Sequence, residues 1–287
     1  MGAVDGKVAI VTGGGRGLGR CHALLLASEG ARVMVNDAGA ELDGSGRSME
    51  PADAVVAQIK EAGGQAAANY EDVTDFQGAK RLVDSAISTF GKLDILVNNA
   101  GFVRDRIVFN MPEEDWDAVL AVHLKGTFNC GRWAASYFRE QSKAGMLERG
   151  RIINTSSHSG LLGNVGQGNY GAAKAGIASL TMIWAMELAR INVTCNAIAP
   201  MARTRMTEMT VGVPAAVGAF DEFAPENISP VVVYLASDQA QGVTGRIISI
   251  RGGKLELFQP WQIGPSIDIG RRWTVREIGE RIKELGL

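Results

Sequence analysis

Over residues 7–19 an apolar, β-branched stretch (KVAIVT) runs into Gly13-Gly14-Gly15-Arg16-Gly17-Leu18-Gly19 and from there into a helix-forming run at 18–28. A short buried strand that hands over to a helix through residues without side chains constrains everything that follows. The turn must be tight, its backbone is bare, and the first amides of the helix have no partner within it. A phosphate can approach such a turn and take those amides as donors. A plain tight turn would also use glycines, so the flanking strand and helix carry the weight of the reading.

The same alternation continues down the chain. Further strand-like runs lie at 31–36 (ARVMVN), 65–69, 93–97 (LDILV), 151–155, 192–198 and 246–250 (RIISI), which makes seven. Helix-length segments separate them at 53–62, 75–90, within 113–137 as one long helix, at 169–190 and at 225–237. The expected fold is α/β: a Rossmann-like, doubly wound parallel sheet of seven strands with helices on both faces. The chain has 287 residues, enough for one such domain over 1–253. A C-terminal extension, 254–287, is expected to pack on the same domain or at a subunit interface, and it ends in an amphipathic helix with Thr274 as its N-cap. The polar stretch 38–51 (AGAELDGSGRSMEP) reads as an extended loop.

Charge and composition exclude several classes. A formal net charge of -2 leaves no basic field to hold a phosphate backbone, so no nucleic acid is expected. No apolar run reaches membrane-spanning length, and the first residues lack a leader pattern, so a cytoplasmic protein with no membrane partner is expected. Cys21, Cys130 and Cys195 are scattered, which suggests reduced thiols and neither a disulfide framework nor a metal site.

Asp37 stands at the end of the second strand, about 20 residues beyond the glycine string, where a ribose-binding carboxylate is expected. A carboxylate accepts both ribose hydroxyls and repels a 2′-phosphate, so NAD is expected over NADP. Arg16 argues the other way, since a guanidinium in the glycine loop could meet that phosphate.

Several motifs, in order and spacing across roughly 5–253, resemble the short-chain dehydrogenase/reductase family: TGGGRGLG, then Asn98-Asn99-Ala100-Gly101, then Ser157, Tyr170 and Lys174 within INTSSHSGLLGNVGQGNYGAAK. The resemblance implies catalysis by Ser157, Tyr170 and Lys174. Tyr170 and Lys174 are four residues apart, hence on one helix face. A free tyrosine has a pKa near ~10, and a neighbouring ammonium is expected to lower it toward a useful general base. Ser157 can hold the same substrate oxygen. The resemblance further implies cofactor contacts from Gly13, Arg16, Gly17, Leu18, Gly19, Asp37, Ala100, Gly101, Tyr170 and Lys174. It implies adenine contacts from Asp72 and Val73, sheet support near the cofactor from Asn98, and carboxamide contacts from Pro200 and Thr204. The last stretch usually reads Pro-Gly, whereas Met201 follows Pro200 here. In the long helix, His123 stands where the family often has a relay asparagine, and an imidazole can both donate and accept. His22 and His158 read as structural or surface residues.

VNDAG with its long following loop, GFVRDR, VHLKG, GNVGQGNY and PMARTRM look closest to one branch, the (3R)-hydroxyacyl-CoA dehydrogenase part of peroxisomal-type multifunctional enzymes and their bacterial single-domain relatives. That resemblance implies a 3-hydroxyacyl-CoA/3-oxoacyl-CoA pair as substrate. The segment 201–224 is rich in Met, Val, Ala and Gly and suits an apolar lid, while Arg104, Arg106, Arg203 and Arg205 could meet CoA phosphates. A homodimer or homotetramer is expected by resemblance. The alternatives are a ketoreductase for carrier-protein, sterol or small-alcohol substrates, and a non-catalytic NAD-binding sensor.

Overall fold

All five positions of the first strand, β1 (Val8–Thr12), are buried, as a central parallel strand covered on both faces must be. In the computed structural model, which describes every residue except 1, 42–43, 205–219, 260 and 287, it pairs in parallel with β2 (Arg32–Asn36) and β4 (Ile95–Asn98). The remaining strands are β3 (Gln65–Asn69), β5 (Gly150–Thr155), β6 (Val193–Pro200), β7 (Ile247–Arg251) and β8 (Lys254–Leu257). The sheet order is β3-β2-β1-β4-β5-β6-β7-β8. The order reverses between β1 and β4, and a crevice opens beyond the carboxyl ends of strands at such a switch point.

The sheet has eight strands where seven were expected. The eighth pairs antiparallel with β7 through a tight turn at Gly252-Gly253. All four of its residues are exposed, and at four residues its Lys-Leu-Glu-Leu alternation is too short to mark a strand.

Alternation along the inner strands divides the core in two. Ala9, Val11, Val33 and Val35 face a layer that includes the helix α1 (Gly17–Ser28), the helix α2 (Glu50–Glu61) and the helix Ser229–Ala236. Ile10, Met34, Leu96 and Ile152 face α3 (Phe76–Phe90), α5 (Gly126–Lys143) and α7 (Gly168–Leu188). The helix α6 (His158–Leu162) is a short piece following β5.

The segment expected as one long helix is α4 (Glu113–Leu120), a wide π turn at Ala121–Lys125, and α5. His123 sits in the middle of the π turn. Such insertions cost helix regularity and are found mostly at functional sites.

Two compact units are present, Met1–Leu257 and Phe258–Leu287. In the second, the helix Val275–Arg281 is started by a reciprocal capping box between Thr274 and Glu277. Among the described residues no helix is long and apolar enough to cross a membrane, and no group of His, Cys, Asp or Glu side chains could hold a metal.

Candidate active site

A cleft of about 430 Å³ opens at the switch point, lined by the glycine loop after β1, by Asp37 after β2, by Asp72 and Val73 after β3, and by Ala100 and Gly101 after β4. Thr204, beyond β6, closes one side of it and lies 3.9 Å from where a Cβ on Gly17 would stand.

The glycines do different jobs. Gly13 has φ of +61°, and a Cβ there would come 2.8 Å from the Ala100 backbone, so the first turn requires a glycine twice over. Gly17 has φ of +51° and open space before it, which leaves its backbone accessible from the cleft. A Cβ on Gly19 would lie 2.0 Å from Gly13 O, so this residue serves helix-to-loop packing and is not on the cleft wall. Arg16, the N-cap of α1, provides no side-chain cap, and the first helix amides therefore keep their donors for a ligand. These surfaces fit a dinucleotide.

Asp37 is held by two backbone amides, Gly15 N–H to Oδ2 at 2.8 Å and Gly39 N–H to Oδ1 at 2.7 Å. Arg16 donates to Ala40 O at 3.1 Å, with Glu41 3.9 Å from its other nitrogen. Asn98 is buried in the sheet, where its amide donates to Asn154 Oδ1 at 2.9 Å. Its neighbour Asn99 lines the cleft and bonds the glycine loop through Thr12 O and Gly13 O.

Ser157, Tyr170 and Lys174 meet beside this cleft. Ser157 caps α6, accepting from Ser159 N–H at 3.2 Å, and its hydroxyl is near enough to Tyr170 to pull the phenol's pKa down. Lys174 is buried on α7 with its Nζ 5.4 Å from the centroid of the Tyr170 ring, and it donates to Thr155 O at 2.7 Å. Asn169, fully buried at the start of α7, donates to Arg104 O and Asp115 O and so pins the loop after β4 against the helix that carries Tyr170.

The electrostatics differ from the expectation of a tyrosine acidified by its lysine. Burial pushes the Tyr170 hydroxyl up to about 12, against the pull of the Ser157 hydroxyl and with a further push from Asp105. Burial also lowers Lys174 to about 7, so the lysine is not a full standing charge at neutral pH. In this geometry Tyr170 is held in its protonated form, and Lys174 is the group that exchanges protons near neutrality.

His123 is 2% exposed. Its Nε2 lies 2.7 Å from Phe102 O and 3.2 Å from Phe102 N. The shorter contact requires a proton on Nε2, which leaves Nδ1 bare, and Nδ1 has no hydrogen-bond partner among the described residues. Burial first, then the Lys174 charge, hold the imidazole well below its ordinary pKa, hence neutral. The ring stands edge-on to Tyr170 with centroids 5.1 Å apart. His22, by contrast, is buried far along the other layer, with Nδ1 2.9 Å from Ser229 Oγ.

Two other expectations meet the structure differently. Arg104 and Arg106 both face Asp115, at 3.3 and 3.8 Å, and Arg203 makes a two-pronged ion pair with Asp221 at 2.6 and 3.2 Å. They brace loops. Arg205, and most of the segment read as a lid, lie outside the described residues. Cleft residues that sequence reasoning missed include Glu41, Gly44, Arg47 and Phe102. The first three belong to the polar loop after β2, whose composition marked it as a loop but gave no sign of where it would fold.

A family model described as short chain dehydrogenase matches residues 7–216. The chain is 47% identical over 253 residues to the peroxisomal multifunctional enzyme type 2 of Drosophila melanogaster, covering 88% of this chain and 40% of that enzyme. It therefore spans less than half the length of that relative. It is 45% identical over 261 residues to hydroxyacyl-CoA dehydrogenase ChsB1 of Mycobacterium tuberculosis, covering 90% of this chain and 81% of that one. The crystal structure of a short chain dehydrogenase from Mycobacterium avium superposes with a TM-score of 0.89 at 54% identity, covering 99% of this chain and 96% of that one.

Proposed function

Since the chain belongs to the short chain dehydrogenase family, we propose that it is an NAD-dependent oxidoreductase interconverting a 3-hydroxyacyl-CoA and its 3-oxoacyl-CoA. The observation that carries the reading is Lys174 buried with its Nζ 5.4 Å from the Tyr170 ring centroid, on a ring that also stands edge-on to His123, which meets Gly101 of the cleft wall. The hydroxyacyl-CoA dehydrogenase relative covered over most of its length supports the substrate class.

NAD is favoured because Asp37 stands at the ribose end of the cleft and Arg16 is engaged with Ala40 O and near Glu41. A 2′-phosphate there would meet the Asp37 carboxylate. Gly13, Gly17 and Leu18 would hold the pyrophosphate, Asp72 and Val73 the adenine, and Pro200 and Thr204 the carboxamide. The bound nicotinamide supplies or accepts the hydride.

The protein's own residues manage the proton and the geometry. Ser157 and Tyr170 hold the substrate oxygen from two sides, which fixes the reacting carbon. In reduction Tyr170, kept protonated by burial, donates to that oxygen. Lys174, near neutrality in its proton affinity, restores the proton. Nδ1 of His123, a buried acceptor without a donor among the described residues, takes the next place in the chain toward solvent through a bridging water. In oxidation the same groups run in reverse.

We place this enzyme in the cytoplasm, in keeping with three buried free thiols, and as a homo-oligomer. Trp116, Phe128, Ile183 and Met186 are exposed apolar residues on α4, α5 and α7, a surface suited to a second copy. The test of the chemistry is Tyr170→Phe. It should retain NADH binding and lose at least about 100-fold in turnover on a 3-oxoacyl-CoA, and near-normal turnover would refute the assignment.

A further inference from the structure

The loop that leaves β2 is tied to three separate walls of the cleft. Arg16 of the glycine loop donates to its Ala40 O at 3.1 Å. Gly44 lies so close to Phe102 that a Cβ there would come 2.7 Å from the ring, and φ of +84° makes a glycine doubly necessary. Arg47 forms an ion pair with Asp72, which follows β3. Arg16, Gly44, Arg47, Asp72 and Phe102 all line the cleft.

The two partners of the ion pair differ in stiffness. Asp72 is a fixed post, because its other oxygen accepts from Thr74 N–H at 2.9 Å. Arg47 is a long arm whose side chain is 59% exposed. A pair like this, open to water, stabilises little by itself and parts readily. With a base lying beneath it the pair loses water and strengthens, and a planar guanidinium can lie flat over an aromatic ring.

We propose that the Arg47–Asp72 ion pair is a latch that holds residues 44–49, before α2, over the adenosine half of a bound dinucleotide and sets how long the cofactor stays. The proposal rests on the reading of the cleft as a dinucleotide site. The pair is formed across the cleft as it stands but, open to water, parts readily and slows entry little, whereas the pair strengthened by a bound base must open before the cofactor leaves. Its loss therefore shows in dissociation and much less in association.

The experiment is stopped-flow release of NADH from the preformed complex of the full chain, displaced by excess NAD and followed by NADH fluorescence. Arg47→Ala should release NADH about three- to tenfold faster with an association rate within about twofold of the original, and Arg47→Lys should fall between. Added salt should accelerate release from the unaltered protein and have little effect on Arg47→Ala. Equal release rates with equal salt responses in the two proteins overturn the latch. Failure of the unaltered protein to bind NADH at all overturns the dinucleotide reading, and the latch with it.

Discussion

Replacing Gly101 with alanine would place a methyl carbon 2.0 Å from Cε1 of His123, 2.7 Å from Nδ1 and 2.8 Å from Nε2. Ordinary contact begins near 3.4 Å, so the imidazole must retreat by 3.4 − 2.0 = 1.4 Å. It has nowhere to go within its present hydrogen bond. The ring is 2% exposed and anchored to Phe102 O at 2.7 Å. Losing a buried hydrogen bond and leaving its carbonyl unsatisfied costs about 1–3 kcal/mol. Overpacking a close-packed interior adds about 1–3 kcal/mol. Gly101→Ala should therefore lose roughly 2–6 kcal/mol by urea unfolding, a large share of the about 5–15 kcal/mol that a domain has. The clash is specific to one partner, so it should be relieved in His123→Ala, where Gly101→Ala should cost less than about 1 kcal/mol. A Gly101→Ala protein within about 0.5 kcal/mol of the original, or two substitutions whose costs simply add, would refute the reasoning.

His22 is lowered to about 3 and His123 well below its ordinary value, both chiefly by burial. Below pH ~6.5 the unfolded chain binds protons at these two sites that the folded chain refuses, so stability falls as pH falls, by about 1.4 kcal/mol per pH unit for each. Urea unfolding at several pH values between neutral and mildly acid should show this slope, and His22→Gln should remove about half of the histidine contribution; an unchanged slope would contradict it. A chain ending at Leu257 keeps β8 and every cleft residue, and should unfold cooperatively and bind NADH. Loss of cooperative unfolding in that truncation would show that residues 258–287 are part of the same folding unit.

The parts of the site legible in the sequence are those held by local backbone. The glycine loop is contiguous, Tyr170 and Lys174 are one helical turn apart, and Ser157 lies two residues beyond the end of β5. Asp37 was legible for the same reason, as the residue after a strand whose end the apolar run marks. What was not legible depends on contacts between distant segments. The acidity of Tyr170 is set by how deeply α7 is buried, and spacing alone predicted the opposite sign. The π turn at His123 leaves no periodic trace in an apolar-polar pattern, because one extra residue per turn is absorbed within a single turn. The ion pairs of Arg104 and Arg106 with Asp115 and of Arg203 with Asp221 were not legible, since those carboxylates come to them only through the folded chain. Arg47 reaches the cleft by the path of a loop that composition could identify but not trace.

The most direct test of the central claim is NADH oxidation by the purified protein on a panel of 3-oxoacyl-CoA thioesters from short chains to a bulky ring-bearing one, with NADPH run in parallel. Turnover of the thioesters with NADH, at clearly higher kcat/KM than with NADPH, is the predicted result. NADH binding without turnover on any thioester, or equal efficiency with NADPH, would contradict the account, the first in its substrate and the second in the part assigned to Asp37.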